Sequence, residues 1–82
     1  MMTVTRMKIV ARPEFGRLVA QTGLSRQAFA DKADVSKRVI DGMALGSAPP
    51  PRDFIAWRIA RAFAQLTGQT DEAAFHALFV EC

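Results

Sequence analysis

Histidine and cysteine are the side chains best suited to metal binding and nucleophilic catalysis, and this chain has one of each. His76 and Cys82 lie six residues apart, whereas a structural metal site usually needs three or four ligands. No Ser, His and Asp residues occur in the sequence context of a catalytic triad. One thiol cannot form an internal disulfide, which is typical of a cytosolic protein. The sequence therefore predicts no enzyme, no metal site and no cofactor.

Positive charge is the chemical feature that remains. The chain has eleven Lys and Arg residues against eight Asp and Glu residues, and its formal net charge is +3. All eleven cations lie at or before Arg61. Basic character concentrated in one part of a small domain is typical of a polyanionic partner, most often nucleic acid. With 82 residues, half of them apolar, the chain is predicted to form one globular domain, and no apolar run approaches the roughly 18 residues of a membrane span.

Five helices and no sheet are predicted to position these charges. Pro13 suits the first position of a helix, and Ser25, Ser36 and Thr70 are predicted N-caps. The predicted helices cover about 13–22, 26–33, 37–45, 52–66 and 71–81. Residues 1–12 lack a helical period and are interpreted as a short strand or a flexible basic arm.

The fourth predicted helix has the clearest apolar stripe. Its members recur at helical spacing and are Ile55, Ile59, Ala62, Phe63 and Leu66. Trp57 is predicted to be partly buried, and Arg58 and Arg61 to lie on a solvated face.

Residues 24–40, LSRQAFADKADVSKRVI, resemble the DNA-binding core of the Cro and lambda-repressor-like (XRE) family of phage and plasmid regulators. The resemblance is carried by a small Ala30 within the first motif helix, by Val35 and Ser36 after the turn, and by the inward-facing Ile40. It extends without a gap over residues 24–46 and more loosely over 13–66. The family usually has Gly at the turn, where this chain has Asp34, a residue that tolerates left-handed backbone.

The resemblance implies an all-α, five-helix bundle with a helix-turn-helix motif over about 25–45 in a domain over 13–82. In that family the second motif helix enters the major groove of DNA. The residues expected to contact bases are Ser36, Lys37, Arg38 and Asp41. Those expected to contact phosphates are Ser25, Arg26, Gln27 and Arg52. The arm residues expected along the backbone or in the minor groove are Arg6, Lys8 and Arg12.

Several of these roles have structural alternatives. Lys37 and Asp41 are four residues apart, and the alternative to their base contacts is a surface ion pair between them. Phe75, Leu78 and Phe79 are predicted to form a homodimer interface on the last helix, about 71–81, or to close the core of the monomer. The arm over 3–10 is the competing dimer element, as an intermolecular strand.

The expected function is a sequence-specific transcriptional regulator, a repressor that binds an inverted-repeat operator in double-stranded DNA as a homodimer. A second regulator or RNA polymerase is a possible further partner, and no membrane is expected. The expected location is the bacterial cytoplasm or nucleoid. The alternative is a protein-binding module, an antitoxin or anti-defence protein, in which the last helix would bind the partner.

Overall fold

A computed structural model describes residues 9–47 and 51–81. Its elements, in chain order, are β1 (Ile9–Ala11), α1 (Phe15–Gln21), α2 (Arg26–Ala33), α3 (Lys37–Leu45), α4 (Asp53–Thr67), α5 (Asp71–Leu78) and β2 (Phe79–Glu81). The prediction of five helices is confirmed for this part of the chain, and the prediction of no sheet is wrong. None of these helices has the length and apolar character needed to cross a bilayer.

The first helix begins later than predicted. Pro13 lies in a turn, in which the N–H of Phe15 donates to the carbonyl of Arg12 at 2.9 Å, and α1 starts at Phe15. Gly16, the second residue of α1, lies so close to α3 that a Cβ at this position would be 3.1 Å from the Cβ of Ala44. A small residue at this point lets α1 and α3 pack against each other.

The second and third helices have the predicted boundaries because both begin at local caps. The hydroxyl of Ser25 accepts the N–H of Ala28 at 3.1 Å, and that of Ser36 accepts the N–H of Val39 at 3.4 Å. Each cap satisfies one of the N–H groups that a helix start leaves without a partner.

The connection between α2 and α3 contains the one left-handed residue other than glycine in the described ranges. Asp34 has φ 60° and ψ 44°. The chain turns back at this point, and the N–H of Val35 donates to the carbonyl of Ala30 at 3.0 Å. Arg58 of α4 donates to the Asp34 carbonyl at 3.3 Å, which fastens the turn to the core helix. The predicted left-handed turn at Asp34 is confirmed.

The core is built around α4, which packs against α2 and α5. The buried residues of α4 are Ala56, Ile59, Ala60, Ala62, Phe63 and Ala64. Because four of the six are alanines, the neighbouring helices can approach closely, and larger side chains from those helices fill the space between. Phe29 of α2 and Phe75 of α5 are among these. Phe15 of α1 and Phe79 of β2 add to the same core, with ring centroids 5.9 Å apart.

The two ends of the described chain meet in an antiparallel sheet. Val10 pairs with Val80 and Ala11 with Phe79. Beyond the strand, Arg12 donates its backbone N–H to the carbonyl of Leu78 at 2.8 Å. Residues 9–12 therefore belong to the fold and not to an arm. Residues 1–8, which contain the rest of the predicted arm, lie outside the described residues.

The last helix is shorter than predicted, because the chain becomes extended at Phe79. Phe75, Leu78 and Phe79 recur at helical spacing, but Phe79 has φ −131° and ψ 157° and begins β2. An aromatic residue followed by Val80 suits a strand as well as a helix.

Replacing Asp34 with glycine is expected to stabilise the protein. A left-handed residue costs about 1–2 kcal/mol unless it is Gly, and somewhat less for Asp, so we expect Asp34→Gly to raise the free energy of unfolding by about 0.5 kcal/mol. The ion pair lost with Arg58 spans 3.8 Å and is largely exposed, so it offsets little of this gain. Urea denaturation measures the change. Asp34→Ala is the matched control and should lower stability, and a destabilised Asp34→Gly would contradict the assignment of backbone strain to this position.

Candidate nucleic-acid interface

One carboxylate joins the N-terminal parts of α2 and α3. Asp41 Oδ2 lies 2.6 Å from Lys37 Nζ, and its Oδ1 lies 3.5 Å from Arg26 Nη1. Both cations are about half exposed, whereas the side chain of Asp41 is 29% exposed. We call the exposed patch formed by Arg26, Lys37, Arg38 and Asp41 the α2–α3 surface. It carries three cations against one carboxylate.

The two cations act on the ionisation of Asp41. The hydrogen bond from Lys37 is the main cause that lowers the pKa of this carboxyl below its ordinary value of 3.8, and Arg26 lowers it further. A lowered pKa in the folded state stabilises the fold above pH 3.8, and this contribution disappears as the pH falls through the lower, folded value. At neutral pH the carboxylate is ionised and engaged with both helices.

Asp41 is thus held by its own chain, and its role as a base contact remains a prediction. The alternative ion pair of Lys37 and Asp41 is present, with a second partner in Arg26. A cytosine amino group would share the carboxylate oxygens with two cations that already orient them. The part of Asp41 in this surface is to orient Lys37 and Arg26.

Arg38 differs from the other cations of the α2–α3 surface. It occupies the second position of α3 and is exposed. No ion pair or hydrogen bond within 9–47 and 51–81 engages its guanidinium. An uncommitted, planar guanidinium at the start of an exposed helix is suited to bidentate contact with a base edge or a phosphate.

The two serines and the glutamine of the predicted interface lie beside the helix starts. Ser25 and Ser36 are exposed and accept helix N–H groups, which leaves each hydroxyl hydrogen available to an outside acceptor. Gln27 donates to Asp31 Oδ1 at 2.9 Å, so part of its amide is committed within α2.

Of the basic residues predicted outside the motif, the structure describes Arg12 and Arg52. Arg12 donates from Nε to the carbonyl of His76 at 2.8 Å, so its side chain secures the end of α5 and is not part of a mobile arm. Arg52 is the exposed N-cap residue of α4. Arg6 and Lys8 lie outside the described residues.

The apolar face predicted for dimerisation is not exposed. Phe75, Leu78 and Phe79 have relative exposures of 2%, 0% and 1% in the single chain. The alternative is therefore the correct description: these side chains close the monomer core, and the last helix offers no apolar face to a second copy or to another protein. The Trp57 ring of α4 covers Phe75, stacking on it at 4.2 Å, and Phe79 lies in β2, where it pairs with Ala11 of β1.

The lone histidine has a packing role. His76 is exposed, and its ring meets the edge of Phe75 at 5.9 Å with an interplanar angle of 86°. Among the residues that the structure describes, no three His, Cys, Asp or Glu side chains come close enough to hold a metal ion. Cys82 lies outside these residues.

A second exposed feature was missed by the sequence reasoning. Phe54 and Trp57 are 54% and 40% exposed on α4, beside Lys32, Arg58 and Arg61. Trp57 is partly buried, as predicted, because its ring stacks on Phe75 at 4.2 Å. The available signal was that Phe54 and Trp57 are three residues apart and lie off the apolar stripe of the same helix.

Comparisons with protein-family models, with curated proteins and with solved structures found no match to this chain. The function is therefore inferred from the geometry of its surfaces and from the residues that form them.

Substituting Asp41 tests the link between α2 and α3. We expect Asp41→Asn to lower the midpoint of urea denaturation at pH 7, because the amide cannot pair with Lys37 and Arg26. The difference in denaturation midpoint between Asp41→Asn and the unsubstituted protein should narrow as the pH falls from 3.8 through the lower pKa that Asp41 has in the folded state.

Lys37→Gln supplies the control in a double-mutant cycle. The loss in Asp41→Asn plus Lys37→Gln should be smaller than the sum of the single losses, since both remove the same ion pair. Additive losses, or a difference that does not change with pH, would mean that the pair contributes nothing to folding.

Proposed function

We propose that this protein is a sequence-specific DNA-binding regulator of transcription that places α3 in the major groove. The observation that carries the proposal is the exposed, uncommitted guanidinium of Arg38 at the start of α3, on a surface shared with the start of α2. The fold supports it through two short helices joined by a three-residue turn, which is the arrangement that the resemblance to the Cro and lambda-repressor-like family implies.

The physical fit to DNA rests on helix ends and charge. A major groove admits one α-helix, and the first residues of that helix reach the base edges. The starts of α2 and α3 also present backbone N–H groups and positive dipole ends, both of which favour phosphate. Arg26 and Lys37 add positive charge beside them.

Different residues take different parts in this proposal. Arg38 reads a base, and guanine is the base whose acceptors match its fork. Lys37 and Arg26 bind phosphates while Asp41 orients them, and the hydroxyls of Ser25 and Ser36 donate to the backbone. Asp41 thus changes from the base contact of the sequence prediction to a positioning residue.

We propose that two copies bind an inverted repeat, because one recognition helix reads only about half a turn of DNA. The interface is not the buried face of α5. Repression would follow from occupancy of a promoter in a bacterial cytoplasm.

Selection of bound sequences from a pool of random duplexes tests the function directly. We expect a motif of two inverted half-sites, and affinity for random duplex that falls steeply between about 50 and 200 mM salt because phosphate contacts release counterions. Failure to enrich any sequence, with weak binding that does not depend on salt, would reject DNA binding.

Arg38→Ala then tests the base contact. We expect its affinity for the selected duplex to fall roughly 5- to 150-fold, the equivalent of about 1–3 kcal/mol, and its affinity for random duplex to change far less. Both affinities are measured by fluorescence anisotropy of labelled duplex. Arg61→Ala is the control, because Arg61 of α4 is paired with Asp71 of α5 and its loss should leave both affinities almost unchanged. Equal losses on both duplexes would make Arg38 a phosphate contact.

A further inference from the structure

We infer that the exposed aromatic patch on α4 is a docking site for a short acidic segment of a partner protein that carries an apolar anchor side chain. The patch comprises Lys32, Phe54, Trp57, Arg58 and Arg61 and is called the aromatic–basic groove. It lines an open depression of about 450 Å³ between the C-terminal end of α2 and the outer face of α4. The inference does not depend on the proposed DNA binding.

The groove offers fixed aromatic surface. The Trp57 ring stacks on the buried Phe75 at 4.2 Å and 21°, so its orientation is set by the core. Phe54 lies one turn earlier on α4, with the guanidinium of Arg58 at 5.4 Å from its ring centroid. Aromatic rings that are already ordered lose little entropy on binding, and Trp and Arg are the residue types that dominate protein interfaces.

Charge selects the occupant. Three cations line the groove, and Lys32 makes no ion pair with any residue of the described ranges. Arg58 and Arg61 are paired only loosely, at 3.8 Å to Asp34 and 3.5 Å to Asp71. Carboxylates of a partner can replace these exposed pairs with bidentate hydrogen bonds to the guanidinium groups.

Duplex DNA fits this groove poorly. The side chain of Asp34 is 89% exposed at its edge, so a continuous phosphate backbone would meet a carboxylate there. The groove also lies at the opposite end of α2 from Arg26, about 10 Å along the helix axis, so it is separate from the α2–α3 surface.

A second copy of the chain fits poorly as well. Two grooves facing each other would bring Lys32, Arg58 and Arg61 against the same cations of the other copy. The exposed parts of Phe54 and Trp57 amount to about 200 Å² of ring surface, against about 800 Å² per partner in a stable dimer. That area suits a peptide with one or two anchor side chains.

The single tryptophan of the chain makes the test direct, because Trp57 emission reports on the groove without a label. A random dodecamer peptide library on phage is selected against the folded protein, and the recovered peptides are synthesised and titrated. We expect peptides rich in Asp and Glu with one or two aromatic or leucine residues, which change Trp57 emission. Versions with Asn and Gln in place of Asp and Glu should bind at least about tenfold more weakly.

Two variants locate the binding. Phe54→Ser and Arg61→Glu should each weaken binding of the recovered peptides at least about tenfold, with circular dichroism and the midpoint of urea denaturation confirming that the fold is intact. The matched controls are Leu45→Ser, which removes an exposed apolar side chain elsewhere, and Arg17→Glu, which makes the same charge change on α1. Both should bind the peptides as the unsubstituted protein does.

Three results would overturn the inference. One is a selection without acidic enrichment, or with peptides that bind Phe54→Ser and Arg61→Glu unchanged. Another is a twelve-nucleotide oligo(dT) that changes Trp57 emission at lower concentration than any peptide, which would assign the groove to single-stranded nucleic acid. The third is a dimer in analytical ultracentrifugation that Phe54→Ser dissociates, which would assign it to a second copy.

Discussion

A left-handed backbone at Asp34 sets the direction in which α3 leaves α2, and both exposed surfaces of the protein depend on it. The turn is held from two sides, by the N–H of Val35 on the Ala30 carbonyl at 3.0 Å and by Arg58 on the Asp34 carbonyl at 3.3 Å. The first bond completes α2, and the second attaches the turn to α4. With the turn in place, Asp41 lies within reach of Arg26 on the neighbouring helix.

Among the described residues, carboxylates form ion pairs with some of the Lys and Arg side chains and leave others unpaired. Arg26 and Lys37 share Asp41, whereas Arg58 and Arg61 face Asp34 and Asp71. These exposed pairs contribute little to stability, because water and dissolved salt screen them. Their effect is on geometry, because they orient the paired cations and leave Arg38 and Lys32 as the groups that an outside anion meets first. The two exposed surfaces differ accordingly, since one is polar and lies at helix starts, and the other is aromatic.

Much of this organisation could be predicted because it is local. The boundaries of α2 and α3 depend on Ser25 and Ser36, whose hydroxyls bond to N–H groups three residues ahead, and on Asp34, which tolerates left-handed backbone. The candidate residues on these two helices follow from the same spacing. Phe79 shows where local reasoning stops: it fits the helical stripe of Phe75 and Leu78 equally well, yet it pairs with Ala11, 68 positions earlier in the chain.

Caps, turn residues and apolar periodicity act over a few neighbouring positions, so the residues alone predict the five helices, the turn between α2 and α3 and the excess of positive charge. Which aromatic side chains are buried follows only from the packing of the folded chain. α4 packs on the face of α5 that looked available, and Phe79 pairs with β1 in the sheet, while Trp57 and Phe54 stay exposed on the outer side of α4. Burial depends on which distant segments pack together. The residue pattern of β1 or of β2 does not indicate that the two strands pair, because they lie at opposite ends of the described chain.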